Sequence, residues 1–236
     1  MLALVGGDEL KPGNDEQDRV LAKAAGEGPA YVVPTAAGRQ GPERAVANAQ
    51  AWFQQFGLEL EELPILKRTD ANSKDLAGRA AAGRFFYLVG GDPGLVVQVL
   101  SSSRVWNAIV DAWHGGAALA GSSAGAMALC SHTLIRASWP NRFNRRPTEA
   151  LGLVADTAVL PHFDTFGHRW IDSARQELPG ATLLGIDERS AAVWQDGVWR
   201  AMGPGVVTVI KGETTTIFDS GQEVVGLPSP VRMLPQ

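Results

Sequence analysis

One cysteine, Cys130, in 236 residues leaves no partner for an internal disulfide, so the chain is not a stapled secreted scaffold. No apolar run approaches the roughly 18 residues that a bilayer-spanning helix needs. The start, Met1-Leu-Ala-Leu-Val-Gly-Gly-Asp, has no basic segment leading into a long apolar one. The expectation is a cytoplasmic protein with no membrane partner. Charge of one sign is lacking too: 25 acidic and 21 basic residues are mixed along the chain for a net of −4, which gives no footprint for nucleic acid. Four histidines and one cysteine form no ligand-spaced cluster, so neither a metal nor a cofactor is expected. Small molecules are the partners that these absences leave. With 45% hydrophobic residues the chain can fill one sizeable core, and residues 1–236 read as one domain.

Short apolar runs alternate with helical patterns. Leu2–Val5, Ala30–Val33, Leu58–Leu63, Phe85–Val89 and Ala117–Ala120 read as strands, with helices over about 17–25, 43–56, 73–82 and 94–114 between them. Strands that are apolar throughout and joined by helices predict a mainly parallel sheet covered on both faces, with ligands beyond its carboxyl end. The helix after the second strand carries Val46, Ala49, Phe53 and Phe56 on one face, as a layer helix does. Thr35 and Arg39, in the loop before it, are read as solvated. Beyond residue 190 the pattern changes to short runs, Ala191–Gln195, Val198–Met202, Val206–Ile210 and Thr214–Phe218, separated by glycine turns. These predict antiparallel hairpins. Aromatic residues there would build a homodimer contact if they proved exposed.

The chemistry centres on Ala117-Ala-Leu-Ala-Gly-Ser-Ser-Ala-Gly-Ala-Met-Ala-Leu-Cys130, a buried strand turning sharply into a small-residue helix. Gly121 and Gly125 flank Ser123 as G-x-S-x-G, a turn that strains and exposes the serine at a helix N-terminus. Unpaired N–H groups there favour the negative charge that develops on an attacked carbonyl, and the first such donor is Ala124. Cys130 and His132 are expected on the helix that follows, the cysteine as a packing residue. The tip Val89-Gly-Gly-Asp92 offers Gly91 as a second donor at close range, and Pro93 suits the first turn of the next helix.

Past a short strand over 133–138, an irregular loop over 139–149 holds Arg142, Arg145 and Arg146, whose guanidinium forks suit a substrate carboxylate. A strand over 153–159 then runs into Leu160-Pro-His-Phe163, which puts His162 where a general base would sit. The strand beginning at Ala181 ends in Asp187-Glu188, and either carboxylate could orient that histidine.

Together Val89-Gly-Gly-Asp92, Gly121-Ser-Ser-Ala-Gly-Ala126, Leu160-Pro-His-Phe163 and Leu184-Gly-Ile-Asp-Glu188 resemble the serine peptidases of the dipeptidase E and cyanophycinase family. The likeness runs over nearly the whole chain. It implies the three-layer α/β/α sandwich of class I glutamine amidotransferases, with serine in place of their elbow cysteine. It also implies Ser123 as nucleophile, His162 as general base and acid, Glu188 as the carboxylate, and Gly91 and Ala124 as oxyanion donors. Asp92, Arg142, Arg145 and Arg146 are the candidate substrate-binding residues. Some dipeptidase E members carry an aspartate soon after the elbow helix; the matching stretch here, Arg136-Ala-Ser-Trp-Pro140, has no carboxylate, which favours Glu188.

The activity implied is hydrolysis of di- and tripeptides, with a taste for acidic residues, or a cyanophycinase-like attack on an Asp/Arg polymer. An α/β-hydrolase esterase shares G-x-S-x-G, but its acid precedes the histidine in the chain, and here the acid follows. A non-catalytic binding module on the same scaffold is the rival of a different class.

Overall fold

The computed structural model describes residues 1–136 and 145–231. The first sheet is built from β1 (Leu2–Val5), β2 (Ala30–Val33), β3 (Glu61–Glu62), β4 (Phe85–Leu88) and β5 (Ala118–Ser122), all parallel, in the order β1-β5-β4-β2-β3. Helices α1 (Asp15–Ala25), α2 (Pro42–Gln54), α3 (Arg68–Ala71), α4 (Lys74–Ala81), α5 (Pro93–Leu100) and α6 (Arg104–His114) lie between them. Acidic residues fill the first turn of α1 and Lys23 its last, complementing the helix dipole. Ser73, Asp92 and Ser103 cap α4, α5 and α6 by accepting from free N–H groups of the first turn.

After β5 the chain turns through α7 (Ala124–Leu129) into a second sheet: β6 (Cys130–Arg136), β7 (Arg145–Glu149), β8 (Val154–Leu160) and β9 (Thr182–Ile186), with α8 (Ile171–Glu177) before β9. It then returns to the first sheet as the hairpin β10 (Ala191–Gln195) and β11 (Val198–Met202), antiparallel beside β1. Finally it crosses back as β12 (Val207–Lys211) and β13 (Thr214–Phe218) beside β9. The two sheets run β11-β10-β1-β5-β4-β2-β3 and β13-β12-β9-β8-β6-β7.

Alternation along the first sheet sends Ala3, Val5, Val32, Phe85 and Tyr87 toward Leu21, Trp52 and Phe53 of α1 and α2. Leu4, Val33, Phe86, Leu88 and Leu119 point the other way, into a larger core shared with α5, α6, α7 and the second sheet's Leu134, Val159 and Leu184. Helices thus cover both faces of a largely parallel sheet, and the fold is the expected α/β/α sandwich. No helix among the described residues is long and apolar enough to cross a membrane.

Four local expectations are corrected. The helix over 94–114 is two helices, because Ser102 adopts a positive φ of 52° and Ser103 starts α6 with its own cap. The elbow helix stops at Leu129, so Cys130 and His132 lie on β6. The cause is tertiary: Leu151 and Leu153 N–H donate to the Ala128 and Leu129 carbonyls, which closes the helix end. Cys130 is buried, and burial raises its thiol far above the ordinary range, which suits packing rather than reactivity. Residues 145–149 are a strand paired antiparallel with β6, not an irregular loop. The strand over 58–63 contracts to Glu61–Glu62 at the sheet edge. As for a dimer contact, Trp199 and Phe218 are buried and Trp194 packs on Trp199, so these aromatic residues do not form an exposed patch.

A carboxylic acid is buried under the helical layer that covers the first sheet. Asp18 of α1 is fully buried and accepts from Trp52 Nε1 at 2.7 Å. Burial pushes its carboxyl up to about 7, with the Trp52 hydrogen bond opposing and Glu9 and Asp15 adding to the rise. A folded-state value above the unfolded one means that ionising Asp18 costs stability. Its contribution therefore falls as pH rises from the unfolded carboxylate range near ~4 to about 7, and is flat above. Asp18→Asn cannot ionise, so its thermal midpoint is expected to gain on wild type between about pH 4 and about pH 7. A difference between the two that stays constant over that range would show that Asp18 does not titrate on folding.

Candidate active site

Three neighbouring strand tips meet at the carboxyl end of the first sheet. β5 is flanked by β1 and β4, with Ser122 opposite Val5 and Gly121 opposite Leu88. Both flanking strands end in the same words, Leu4-Val-Gly-Gly-Asp8 and Leu88-Val-Gly-Gly-Asp92. Between them stands Ser123, at φ 47° and ψ −107°, a strained conformation for a residue with a side chain. Its N–H donates to the Val5 carbonyl and its own carbonyl accepts from Met127 N–H, both at 2.9 Å. The glycines of G-x-S-x-G serve close approach. A Cβ on Gly121 would meet the Gly125 backbone at 2.5 Å, and one on Gly125 would meet the Leu88 carbonyl at 2.3 Å.

The second sheet supplies the other two groups from the adjacent parallel strands β8 and β9, in register at Leu160 and Gly185. His162 and Glu188 each lie two residues past a strand end. His162 Nε2 is 3.2 Å from Ser123 Oγ, and His162 Nδ1 is 2.8 Å from Glu188 Oε1. A carboxylate only accepts, so Nδ1 carries the proton and Nε2 presents its lone pair to the serine hydroxyl. Thr165 Oγ1 also donates to Glu188 Oε1, and the Phe166 ring stacks on the imidazole at 4.8 Å. Of the acidic pair, Glu188 alone reaches the histidine. Asp187 turns away to accept from Val206 N–H, and burial raises its carboxyl.

The β1 tip joins the two halves. His162 N–H donates to the Gly6 carbonyl at 2.7 Å, Arg189 N–H donates to the Gly7 carbonyl, and Gly6 N–H donates to the Ser190 carbonyl. Gly7 has φ 110°, and a Cβ there would come 2.4 Å from the imidazole.

Gly91, at φ 143°, fits because a Cβ would meet the Ala36 carbonyl at 2.2 Å. No hydrogen bond among the described residues engages the N–H of Gly91 or of Ala124. The Gly90 N–H, by contrast, donates to Glu9 Oε1 at 3.0 Å. A pocket of about 270 Å³ opens beside Ser123, His162 and Gly91, and Glu9, Gln40, Arg44 and Asn48 supply its polar walls. These four were missed in the sequence, although Arg44 and Asn48 lie one turn apart on the face of α2 opposite its apolar stripe, with Gln40 in the loop just before it. Asp92, Arg145 and Arg146 lie outside that lining. Asp92 caps α5 and faces Arg39 at 3.7 Å, and Arg145 stacks on Trp170 at 4.1 Å. Arg142 lies outside the described residues. A larger cleft of about 720 Å³, between α4 and α6, sits at the opposite end of the first sheet, where Arg84 and Gly115 precede β4 and β5.

A strained serine in line with an imidazole and a carboxylate, beside two unengaged N–H groups on an α/β/α frame, is the apparatus of a serine hydrolase. Residues 1–201 match peptidase family S51, and the chain belongs to that family, which makes it a serine-type peptidase. The crystal structure of a peptidase from an acI-B1 Actinobacterium is similar over 94% of this chain and 95% of that one, with 31% identity and a TM-score of 0.81. A protein of Listeria monocytogenes EGD-e, assigned provisionally to peptidase E, is similar over 92% of this chain and 96% of its own. At 18% identity and a TM-score of 0.58 that likeness bears on the fold alone. No curated protein matches the chain.

Gly7→Ala would force the imidazole away from Ser123, and a misplacement of 1 Å at such a site costs about 10²-fold in rate. The variant is expected to fold, with the His162 ring displaced in its crystal structure and peptidase turnover reduced by about that factor. Wild-type turnover in Gly7→Ala would show that this contact does not hold the ring.

Proposed function

We propose that the protein hydrolyses small peptides through a Ser123-His162-Glu188 triad and an acyl-enzyme. The observation that supports this is the unbroken line of hydrogen bonds from Ser123 Oγ to His162 and on to Glu188. Ser123 Oγ attacks the scissile carbonyl as His162 Nε2 takes its proton. The carbonyl oxygen, now an anion, turns toward the N–H groups of Gly91 and Ala124. Collapse of the tetrahedral intermediate breaks the C–N bond, and His162 returns the proton to the leaving amine. Water then attacks the acyl carbon as His162 takes its proton, and when the bond from that carbon to Ser123 Oγ breaks, His162 returns the proton to Oγ and the acid is released. Glu188 stays ionised throughout, fixing the ring's tautomer and stabilising the imidazolium.

The pocket is small, which suits di- and tripeptides better than folded protein, and Arg44 in its wall suits an acidic substrate side chain. Ser-His-acid chemistry needs no metal, so activity is expected to survive a chelator.

The test is a screen of dipeptides, tripeptides and an Asp/Arg polymer, varied at the first residue, with Ser123→Ala as the blank. Ser123→Ala is expected to lose about 10⁴-fold or more in rate, and Glu188→Gln about 10³- to 10⁴-fold. Hydrolysis by Ser123→Ala within about tenfold of wild type would overturn the nucleophile, since losing one costs orders of magnitude more. Loss on chelation with recovery on adding a divalent metal would overturn the metal-free mechanism.

A further inference from the structure

Glu9 and Arg44 both line the pocket beside Ser123, and no ion pair among the described residues engages either. Glu9 is half-buried, its Oε1 accepts from Gly90 N–H, and no cation pairs with it among the described residues. Its neighbours differ. Asp8 has both Lys11 and Arg189, the latter at 3.2 Å, and Asp92 has Arg39. A Cβ built on Gly90 would lie 2.7 Å from Glu9 Oε1 and 3.5 Å from Ser123 Cβ. The carboxylate oxygen and the Ser123 side chain therefore lie within about 6 Å of each other, on either side of Gly90. A half-buried carboxylate with a single neutral donor is under-satisfied, and a cation brought by the substrate would complete it.

We propose that Glu9 holds the α-ammonium of the substrate's first residue and thereby directs Ser123 to the first peptide bond. The inference rests on Ser123 being the nucleophile, as read above. Chain geometry sets the register. Within one residue the amino nitrogen and the carbonyl carbon are two bonds apart, of about 1.46 and 1.52 Å. An ammonium about 2.8 Å from the Glu9 carboxylate therefore keeps its own residue's carbonyl near Ser123. Each further residue would carry the ammonium up to about 3.3–3.6 Å beyond that reach. An internal residue or an acetylated terminus would offer Glu9 an uncharged amide and forgo the charge-assisted bond. Arg44, in the wall of the same pocket, leaves the opposite charge for a side-chain carboxylate. Glu9 is thus a specificity residue that selects a free N-terminus, while its bond to Gly90 fixes the loop that carries Gly91.

The experiment uses X-Ala dipeptides, one for each ordinary first residue, and their N-acetylated counterparts as competitors of fluorophosphonate labelling of Ser123. In wild type the free dipeptides are expected to protect at concentrations about tenfold or more below their acetylated counterparts, the size of one charge-assisted bond. Glu9→Gln keeps an acceptor for Gly90 N–H and removes the charge, so in it the two sets are expected to protect alike. Glu9→Gln that still discriminates would overturn the ammonium site. Loss of labelling in Glu9→Gln while wild type labels would make Glu9 a support of the Gly90 loop alone. A wild-type protein that does not label at all would remove the nucleophile, and this subsite with it.

Discussion

Everything at this site depends on a joint between two sheets. The serine belongs to the first sheet and the histidine and glutamate to the second, so the geometry of these three groups is the geometry of how the sheets meet. Three backbone hydrogen bonds fix it: His162 N–H to Gly6, Arg189 N–H to Gly7, and Gly6 N–H to Ser190. Two glycines are required there because a Cβ on Gly6 would meet the Asp187 carbonyl at 2.1 Å and one on Gly7 would meet the imidazole at 2.4 Å. Side-chain packing alone would leave tenths of an ångström of play. Backbone bonds made to His162 itself, and to Arg189 and Ser190 directly after Glu188, remove most of it.

The joint is also where backbone strain collects. Of the eight non-glycine residues with positive φ among those described, Asp8, Leu10, Ser123, His162 and Arg189 all lie on the four connections, after β1, β5, β8 and β9, that meet there. Each such residue costs on the order of 1–3 kcal/mol when held outside its preferred region, and persists where surrounding bonds over-determine it. Ser123 is held by Val5 on one side and Met127 on the other. His162 is held by Gly6 through its N–H, and by the N–H groups of Phe166 and Gly167 through its carbonyl. The strain aims both side chains at one point, which regular strand ends would not do, since successive strand residues face opposite ways.

Much of this was legible in the sequence, and the illegible part has definite causes. The parallel strands and the C-terminal hairpins announce themselves by apolar runs and glycine turns. Ser123 and His162 follow from strand-tip position, and Glu188 was separated from Asp187 only by family likeness, since the two adjoin and only the folded corner shows which one faces the ring. The division into two sheets has no local signal, because β6, β8 and β9 read as buried strands whichever sheet takes them. Glu9 was hidden for a different reason. It lies beside a tip whose twin, Val89-Gly-Gly-Asp92, was read as functional, and the repetition of Val5-Gly-Gly-Asp8 was the available clue. Arg44 reads as an ordinary solvated residue of an amphipathic helix until the loop before α2 folds toward Ser123.

The shortness of α7 links Ser123 to His162. A longer elbow helix would keep the Ala128 and Leu129 carbonyls for its own next turn. Ending at Leu129 frees them for the N–H groups of Leu151 and Leu153, which lead directly into β8. Two residues past the end of β8 stands His162. The path from Ser123 to His162 thus runs through one six-residue helix and one seven-residue strand laid against each other, with no exposed loop between their bonded ends. The closing of the helix end by Leu151 and Leu153 and the placement of His162 are one structural event.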